Sequence, residues 1–202
     1  MHDYLQSLSK QSVITLYKGG CNVDKQLVFK REPLQIEPMH LFGMEEHLSN
    51  TWRKLMGEEL LFVAQSGLPV DVAAQHFFVV TLHPTPHGSL AGVGLAIAEL
   101  DARRLAGRMF DEPEEVISDA DVTDACSELS NVFASGVPTH ITDHPELDLG
   151  LPSALSAAQF MDILQTSTIK QSYLAAQDDH RIQVIVFESL ALPQTATGAV
   201  AS

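Results

Sequence analysis

The sequence contains few basic residues for its length. Lys and Arg account for 12 of its 202 residues, against 26 for Asp and Glu, and the formal net charge is -14. A protein that binds the phosphate backbone of nucleic acid needs a basic patch, and so does one that binds an anionic membrane surface. The composition therefore argues against both partners: we expect no nucleic acid and no membrane.

Cysteine is also scarce, and long hydrophobic runs are missing. Cys21 and Cys126 provide no disulfide framework, which indicates a reducing compartment. The longest apolar runs, FFVVTL and LAGVGLAIA, are far too short to span a bilayer, and the first twenty residues lack the apolar stretch of a signal peptide. With 45% hydrophobic and 19% charged residues, the chain is typical of a globular protein. We expect it to be soluble and cytoplasmic.

The chain divides into a main region with an extension at each end. Residues 1–40 are the hardest to interpret and form an N-terminal extension of unknown role. Residues 193–202, PQTATGAVAS, are small and polar enough to be a flexible tail. No internal repeat stands out.

Within the main region, helical and strand patterns alternate irregularly. Apolar residues recur at three- and four-residue steps from Met39 to a stop at Gly57, which predicts a helix. QHFFVVTLH and GSLAGVGLAI read as one hairpin, and TIKQSYLAAQ and HRIQVIVFESL as a second. ELDARRLAGRMF is a short helix with Leu100, Leu105 and Met109 on its inner side. Strand pairs beside helices, without regular βαβ alternation, predict an α+β fold with a largely antiparallel sheet and long helices packed against it.

The segment DACSELSNVFASG, residues 124–136, carries the most informative pattern. It belongs to a helix that begins after Ser118, with Asp121 completing an approximate capping box. At about 100° per residue, an apolar stripe that includes Val122, Leu129 and Phe133 must face the core. The polar residues Asp124, Glu128, Asn131 and Ser135 gather within about 60° on a different face.

A solvated polar face is the ordinary explanation of such a strip. Two details weaken it. We expect no Lys or Arg on or near this helix to offset its acids, and Asn131 is a poor helix former for a mid-helix surface position.

The pattern resembles the CheX/CheC/FliY-type chemotaxis phosphatases. Their signature is an acidic or serine residue, three residues, Glu, two residues, Asn, and a Pro about twenty residues later. Asp124, Glu128, Asn131 and Pro152 match it in order and spacing. The resemblance covers roughly residues 41–192, which would be the CheX-like phosphatase domain. The first helix has Asn50 but no Glu three residues before it, so the chain resembles single-site CheX more than two-site CheC.

The resemblance implies hydrolysis of the aspartyl-phosphate of a CheY-like receiver domain. Glu128 and Asn131 would be the catalytic pair, while Asp124 would belong to the rim or to the helix face. The protein would have no cofactor of its own, because the receiver partner supplies Mg²⁺. The alternative is a non-catalytic module of the same fold that binds a receiver or a flagellar-switch component. Pro138 should kink or end the helix, and either Pro138 or the N-terminal extension could block the docking helix.

Other motifs give weaker signals. Two pairs of histidines have the spacing of a metal pair on a helix: His83 with His87, and His140 with His144. Pro84 and Pro86 interrupt the first pair and Pro138 precedes the second, so we expect no metal site.

Cys126 lies beside the apolar stripe without an activating base and reads as a small core residue. The resemblance also implies that the chain can pair through a sheet edge, and HRIQVIVFESL is long and apolar enough to need a covered edge, so we predict a homodimer.

Overall fold

The computed structural model describes residues 43–66, 74–84, 90–140 and 147–189. The described residues form four helices: α1 (Met44–Met56), α2 (Glu99–Phe110), α3 (Asp119–His140) and α4 (Ala157–Gln165). They also form seven strands: β1 (Val63–Gln65), β2 (His76–Pro84), β3 (Leu90–Ile97), β4 (Leu147–Leu149), β5 (Ser153–Leu155), β6 (Ser167–Ala175) and β7 (Ile182–Ser189). The expected N-terminal extension and C-terminal tail lie outside the described residues.

All seven strands belong to one antiparallel sheet. Its order is β1-β6-β7-β3-β2-β4, and β5 pairs with β2 beside β4. This order reads symmetrically about the β7–β3 pair. One half contains α1, β1, β2 and β3, and the other contains α3, β4, β6 and β7. The short strand of each half pairs with the hairpin of the other half: β1 pairs with β6, and β4 pairs with β2. The predicted α+β class with an antiparallel sheet is confirmed.

The sheet is covered on both faces. On one face, α1, α2 and α3 pack against it through a large core that includes Trp52, Leu105 and Phe133. On the other face, α4 packs Phe160 and neighbouring residues against the sheet. The central strand β7 is apolar at successive positions because alternate side chains point to opposite faces: Val184 and Val186 join the first core, Ile185 and Phe187 the second.

The long elements agree with the sequence patterns, while the short ones were not anticipated. Both hairpins and α2 are where the sequence predicts them. The inner side of α2 differs in one position: Leu105 is fully buried, whereas Leu100 is 39% exposed and Asp101 faces inward instead. Helix α4 and strands β1, β4 and β5 gave no clear sequence signal.

The expected sheet edge is wrong. β7 lies between β6 and β3, so HRIQVIVFESL is interior and needs no partner to cover it. The edge on that side is β1, and α1 blunts it with side chains. Ser49 Oγ accepts a hydrogen bond from the Phe62 N–H at 3.0 Å, and Glu45 Oε1 accepts one from the Ala64 N–H at 2.6 Å. The homodimer stays a prediction, but this reason for it is lost.

None of the described helices has the length and apolar character needed to cross a bilayer.

Candidate functional site

Helix α3 begins at a capping box that ties its first turn together. The Ser118 N–H and hydroxyl both donate to Asp121 Oδ2, at 3.0 and 2.6 Å, and the Asp121 N–H donates to Ser118 Oγ at 3.2 Å. The predicted N-cap is therefore confirmed, and these hydrogen bonds lower the pKa of the Asp121 carboxyl. Two acids in the first turn also suit the positive end of the helix dipole.

A basic residue from α2 offsets part of the acidity of α3. Arg103 Nη2 lies 3.0 Å from Asp119 Oδ1, and Arg103 Nη1 donates to the Ile117 carbonyl at 2.8 Å. The expectation that no Lys or Arg lies near this helix is therefore wrong at its first turn. No described cation pairs with the acids farther along α3, so their charge is directed to solvent.

The polar strip of α3 points away from the core. Val122, Leu129 and Phe133 are buried, at 0 to 1% exposure. Asp124, Glu128 and Ser135 are exposed, and Asn131 is half-buried. Rotation of about 100° per residue places the centre of this strip nearly opposite the buried stripe. The term "α3 strip" is used below for Asp124, Glu128, Asn131 and Ser135.

Three side chains of the α3 strip have no hydrogen-bond or ion-pair partner within the described part of the chain. No described residue forms a hydrogen bond or an ion pair with the side chains of Asp124, Glu128 or Asn131. The Ser135 hydroxyl instead donates to the Val132 carbonyl at 2.7 Å, so its proton is committed to the helix. The strip therefore offers two carboxylates and one carboxamide to an incoming partner.

Pro138 does not end the helix. α3 continues through it to His140, so the strip lies well inside the helix and not at its end. Proline has no N–H, so the Ala134 carbonyl loses its usual partner four residues on. The lost hydrogen bond falls in the turn from Ala134 to Pro138, which overlaps the end of the strip at Ser135. Of the expected kink or end of the helix, the end at Pro138 is wrong, and the kink stays a prediction.

Pro152 lies in the short connection between β4 and β5. Both strands pair with β2, and α3 contacts both of them. The Gly150 N–H donates to the Thr81 carbonyl at 2.7 Å, which fixes this connection to the sheet. Pro152 is half-buried, and its neighbour Leu151 is 87% exposed. The structure therefore brings Pro152 to the edge of the sheet along which α3 packs.

Helix α1, the counterpart of α3 in the other half, presents its amide differently. Asn50 Oδ1 accepts a hydrogen bond from Arg53, and Asn50 Nδ2 donates to Glu46 Oε1 at 3.5 Å. The position three residues before Asn50 is His47, so this helix has neither the glutamate nor the free carboxamide of the α3 strip.

Other nucleophiles and metal ligands contribute little to this site. Cys126 is fully buried, and its burial raises the pKa of the thiol to about 12, with a smaller contribution from the negative charge of Glu99. Such a thiol is inert at neutral pH. The described residues contain no group of three or more His, Cys, Asp and Glu side chains able to hold a metal ion. His87 and His144 lie outside the described residues.

Comparison with solved structures identifies the architecture. A CheC-like superfamily protein from Shewanella sp. PV-4 matches with a TM-score of 0.56 at 14% identity, over 76% of this chain and 99% of that one. A chain of the CheX–CheY–BeF3–Mg²⁺ complex from Borrelia burgdorferi matches with a TM-score of 0.54 at 15% identity, over 74% and 97%. The chain has the CheC/CheX fold.

The same fold also occurs in a chain of a second solved complex. A chain of the FliM–SpeE complex from H. pylori matches with a TM-score of 0.53 at 12% identity, over 78% of this chain and 90% of that one. No protein-family model matches the sequence, and no curated protein matches it either. The resemblance seen in the sequence is therefore confirmed as a CheC/CheX fold, at identities that leave activity open.

Proposed function

We propose that this protein is a phosphatase that hydrolyses the aspartyl-phosphate of a CheY-like receiver domain by orienting an attacking water. The observation that carries the proposal is the α3 strip: Glu128 and Asn131 stand one turn apart on a helix, facing away from the core. The CheX relative crystallised with CheY, BeF3 and Mg²⁺ supports a receiver as the partner. The proposed site of action is the cytoplasm.

Asn131 has the group that the reaction requires. In-line attack on a phosphoryl group needs a water held opposite the leaving oxygen, and the phosphoryl oxygens repel a negatively charged orienting group. A neutral carboxamide can both donate to and accept from a water without adding charge. Asn131 is half-buried, which limits the positions its side chain can take, yet its amide is unengaged by the described residues.

Glu128 suits a docking role. It is exposed one turn before Asn131, and a carboxylate there can pair with a receiver lysine and fix the register of the complex. Asp124 lies one turn farther from Asn131. A carboxylate close to the phosphoryl group would repel it, so we assign Asp124 to the rim of the interface. Pro152, which follows β4 in the connection to β5, stays a motif-associated residue of this proposal.

The metal of the reaction belongs to the receiver in this proposal. The described residues of this chain offer no cluster of metal ligands, and the solved CheX–CheY complex contains Mg²⁺. Mg²⁺ would neutralise phosphoryl charge, while Asn131 orients the water and Glu128 holds the receiver. This division of roles requires no covalent intermediate on this chain.

A non-catalytic binding module is the second candidate. The observation that favours it is the same fold in a chain of the FliM–SpeE complex, because a shared fold does not imply a shared activity. Under this alternative, the α3 strip would bind a receiver or a flagellar-switch component without hydrolysis.

One experiment separates the two candidates. Receivers of the source organism are phosphorylated with a small phosphodonor, and the decay of each phosphoreceiver is followed with and without the protein. A phosphatase accelerates the decay of its cognate receiver at substoichiometric concentration. Binding of a phosphoreceiver or of a flagellar-switch component without acceleration would establish the module instead.

A further inference from the structure

Helix α1 contacts α3 immediately beside Asn131. His47 Nε2 lies 3.2 Å from the carbonyl oxygen of Val132, the residue that follows Asn131. The same carbonyl accepts the Ser135 hydroxyl at 2.7 Å. A carbonyl accepts hydrogen bonds only from donors, so His47 Nε2 carries the proton in this contact. The turn of α3 that carries Asn131 and Ser135 is thus tied to a second helix.

Gly136 makes room for this contact. A Cβ atom added there would lie 2.3 Å from His47 Cδ2 and 2.4 Å from His47 Nε2, far inside van der Waals contact. An alanine is ordinarily better than glycine in a helix interior. Glycine is therefore required at position 136 for steric reasons, because the imidazole of His47 lies directly on the α3 backbone one turn after Val132.

The contact with His47 supports a turn of α3 that lacks one of its helical hydrogen bonds. Pro138 cannot donate to the Ala134 carbonyl, so this turn has one helical hydrogen bond fewer than usual. The Asn131 side chain also forms no hydrogen bond with any described residue, so its position depends on the backbone beneath it. A side chain that orients a water must be held within roughly 0.5 Å of its productive position.

We propose that His47 is a positioning residue for the α3 strip: its hydrogen bond to Val132 and its contact with Gly136 hold the turn of α3 that places the Asn131 carboxamide. This inference rests on the proposed phosphatase function. His47 touches neither receiver nor water in this scheme and acts through the α3 backbone.

Four variants of the full chain test the proposal. His47→Ala removes the tie, and His47→Gln offers an amide N–H near the position of Nε2. Gly136→Ala introduces a methyl group that must displace the imidazole. The double variant His47→Ala/Gly136→Ala removes that clash without restoring the hydrogen bond. For each variant we would measure turnover of phosphoreceiver, binding of the beryllofluoride-loaded receiver, the melting temperature, and amide hydrogen exchange along α3.

The expected results separate positioning from space filling. His47→Ala and Gly136→Ala should each lower the maximal turnover rate roughly tenfold. Binding of the beryllofluoride-loaded receiver should change by less than about twofold, because Glu128 carries docking. His47→Gln should recover most of the turnover. The double variant should regain melting temperature relative to Gly136→Ala, yet keep the low turnover. Recovery of both quantities in the double variant, or wild-type turnover in His47→Ala, would overturn the proposal.

Hydrogen exchange tests the tie even without activity. In His47→Ala, the amides of residues 133–137 should exchange faster than in the wild type, while those of residues 125–129 keep their rates. If the wild-type protein accelerates no phosphoreceiver decay, the phosphatase function fails, and exchange at residues 133–137 then decides whether His47 holds the turn. Unchanged exchange there sinks the positioning role whichever function the protein has.

Discussion

Arg103 and Asp119 join α2 to the first residue of α3 through an ion pair of 3.0 Å. The same guanidinium places Nε 2.5 Å from Glu99 Oε1, and His76 Nε2 lies 2.5 Å from Glu99 Oε2. One carboxylate and one guanidinium thus connect the start of β2, the start of α2 and the start of α3. This network holds the amino-terminal end of the helix that carries the strip.

The first prediction concerns acid stability. The hydrogen bond from His76 holds the pKa of Glu99 below its ordinary value, with further help from Arg103 against the opposing effect of burial. A depressed carboxyl pKa contributes stability above the ordinary glutamate pKa of about 4.3, and this contribution is lost as the pH falls through the folded-state value. Glu99→Gln should therefore melt at a lower temperature at pH 7 and lose less further stability between about pH 5 and pH 3.

Thermal melts across this pH range measure both effects. Because the Glu99 side chain is 39% exposed, solvent weakens the pairing, so the change should be modest. Glu115→Gln is a matched control, since Glu115 is exposed in the linker between α2 and α3 and no described residue pairs with it. Equal acid sensitivity in wild type and Glu99→Gln would show that the network contributes nothing to pH dependence.

The sequence pattern located the long elements and the buried and polar faces of α3 because these have strong periodicity. Val122, Leu129 and Phe133 identify the buried stripe of α3 at helical spacing, and the opposite face follows from the same rotation. The short strands β1, β4 and β5 have three residues each, too few for a period to emerge. The sequence predicts an edge position for β7, because composition cannot tell which strands flank it.

The contact between His47 and Gly136 could not be predicted. It joins residues 89 positions apart in the sequence, and its only local sign is a glycine inside a helix. The symmetry of the two halves was also invisible, since α1 and α3 correspond in place without sharing a motif. The extent of α3 was underestimated because a proline in a last turn costs one hydrogen bond without ending the helix.

The second prediction concerns assembly. We expect a homodimer, and the exposed apolar side chains nearest the β1 edge are Leu61 at 66% and Val63 at 52% exposure. If they lie in the interface, Leu61→Asp/Val63→Asp should shift the protein to the monomer, because two buried carboxylates per subunit would be costly. Light scattering at working concentration measures the mass. A monomeric wild type would refute the dimer, and a dimeric double variant would move the interface elsewhere.

The third prediction concerns metal. Turnover should require Mg²⁺ and stop when EDTA is added, because the ion belongs to the receiver's phosphoryl site. EDTA should leave the melting temperature of this protein alone unchanged, since none of the described residues forms a metal cluster. Elemental analysis of the purified chain should find no bound zinc. Stoichiometric zinc, or a fall in melting temperature with EDTA, would contradict this assignment.

The fourth prediction separates docking from scaffold. Glu128→Ala should weaken binding of the beryllofluoride-loaded receiver by an ion-pair contribution of about 1 to 3 kcal/mol. Its melting temperature should hardly change, because Glu128 is exposed and unpaired by any described residue. Leu129→Ala, one residue on, is the stability control: Leu129 is fully buried, and its truncation should cost about 2 to 5 kcal/mol of folding free energy. Undiminished binding by Glu128→Ala would remove it from the interface.

The last prediction tests the catalytic side chain itself. Asn131→Ala should leave the fold intact, because the residue is half-buried on the face away from the core, and alanine is the better helix former. If the carboxamide orients the attacking water, turnover should fall by roughly 10² or more, about 3 kcal/mol of barrier, while receiver binding survives.

Asn50→Ala provides the matched control. Asn50 is also a half-buried helical asparagine, but its amide is engaged by Arg53 and Glu46, so its loss should leave turnover near the wild-type value. Phosphoreceiver decay, receiver binding and thermal melts of the two variants together decide the matter. A hundredfold loss in Asn131→Ala alone would make the carboxamide catalytic, because folding and docking are held constant. Wild-type turnover in Asn131→Ala would reduce the α3 strip to a solvated helix face, and the phosphatase proposal would fail with it.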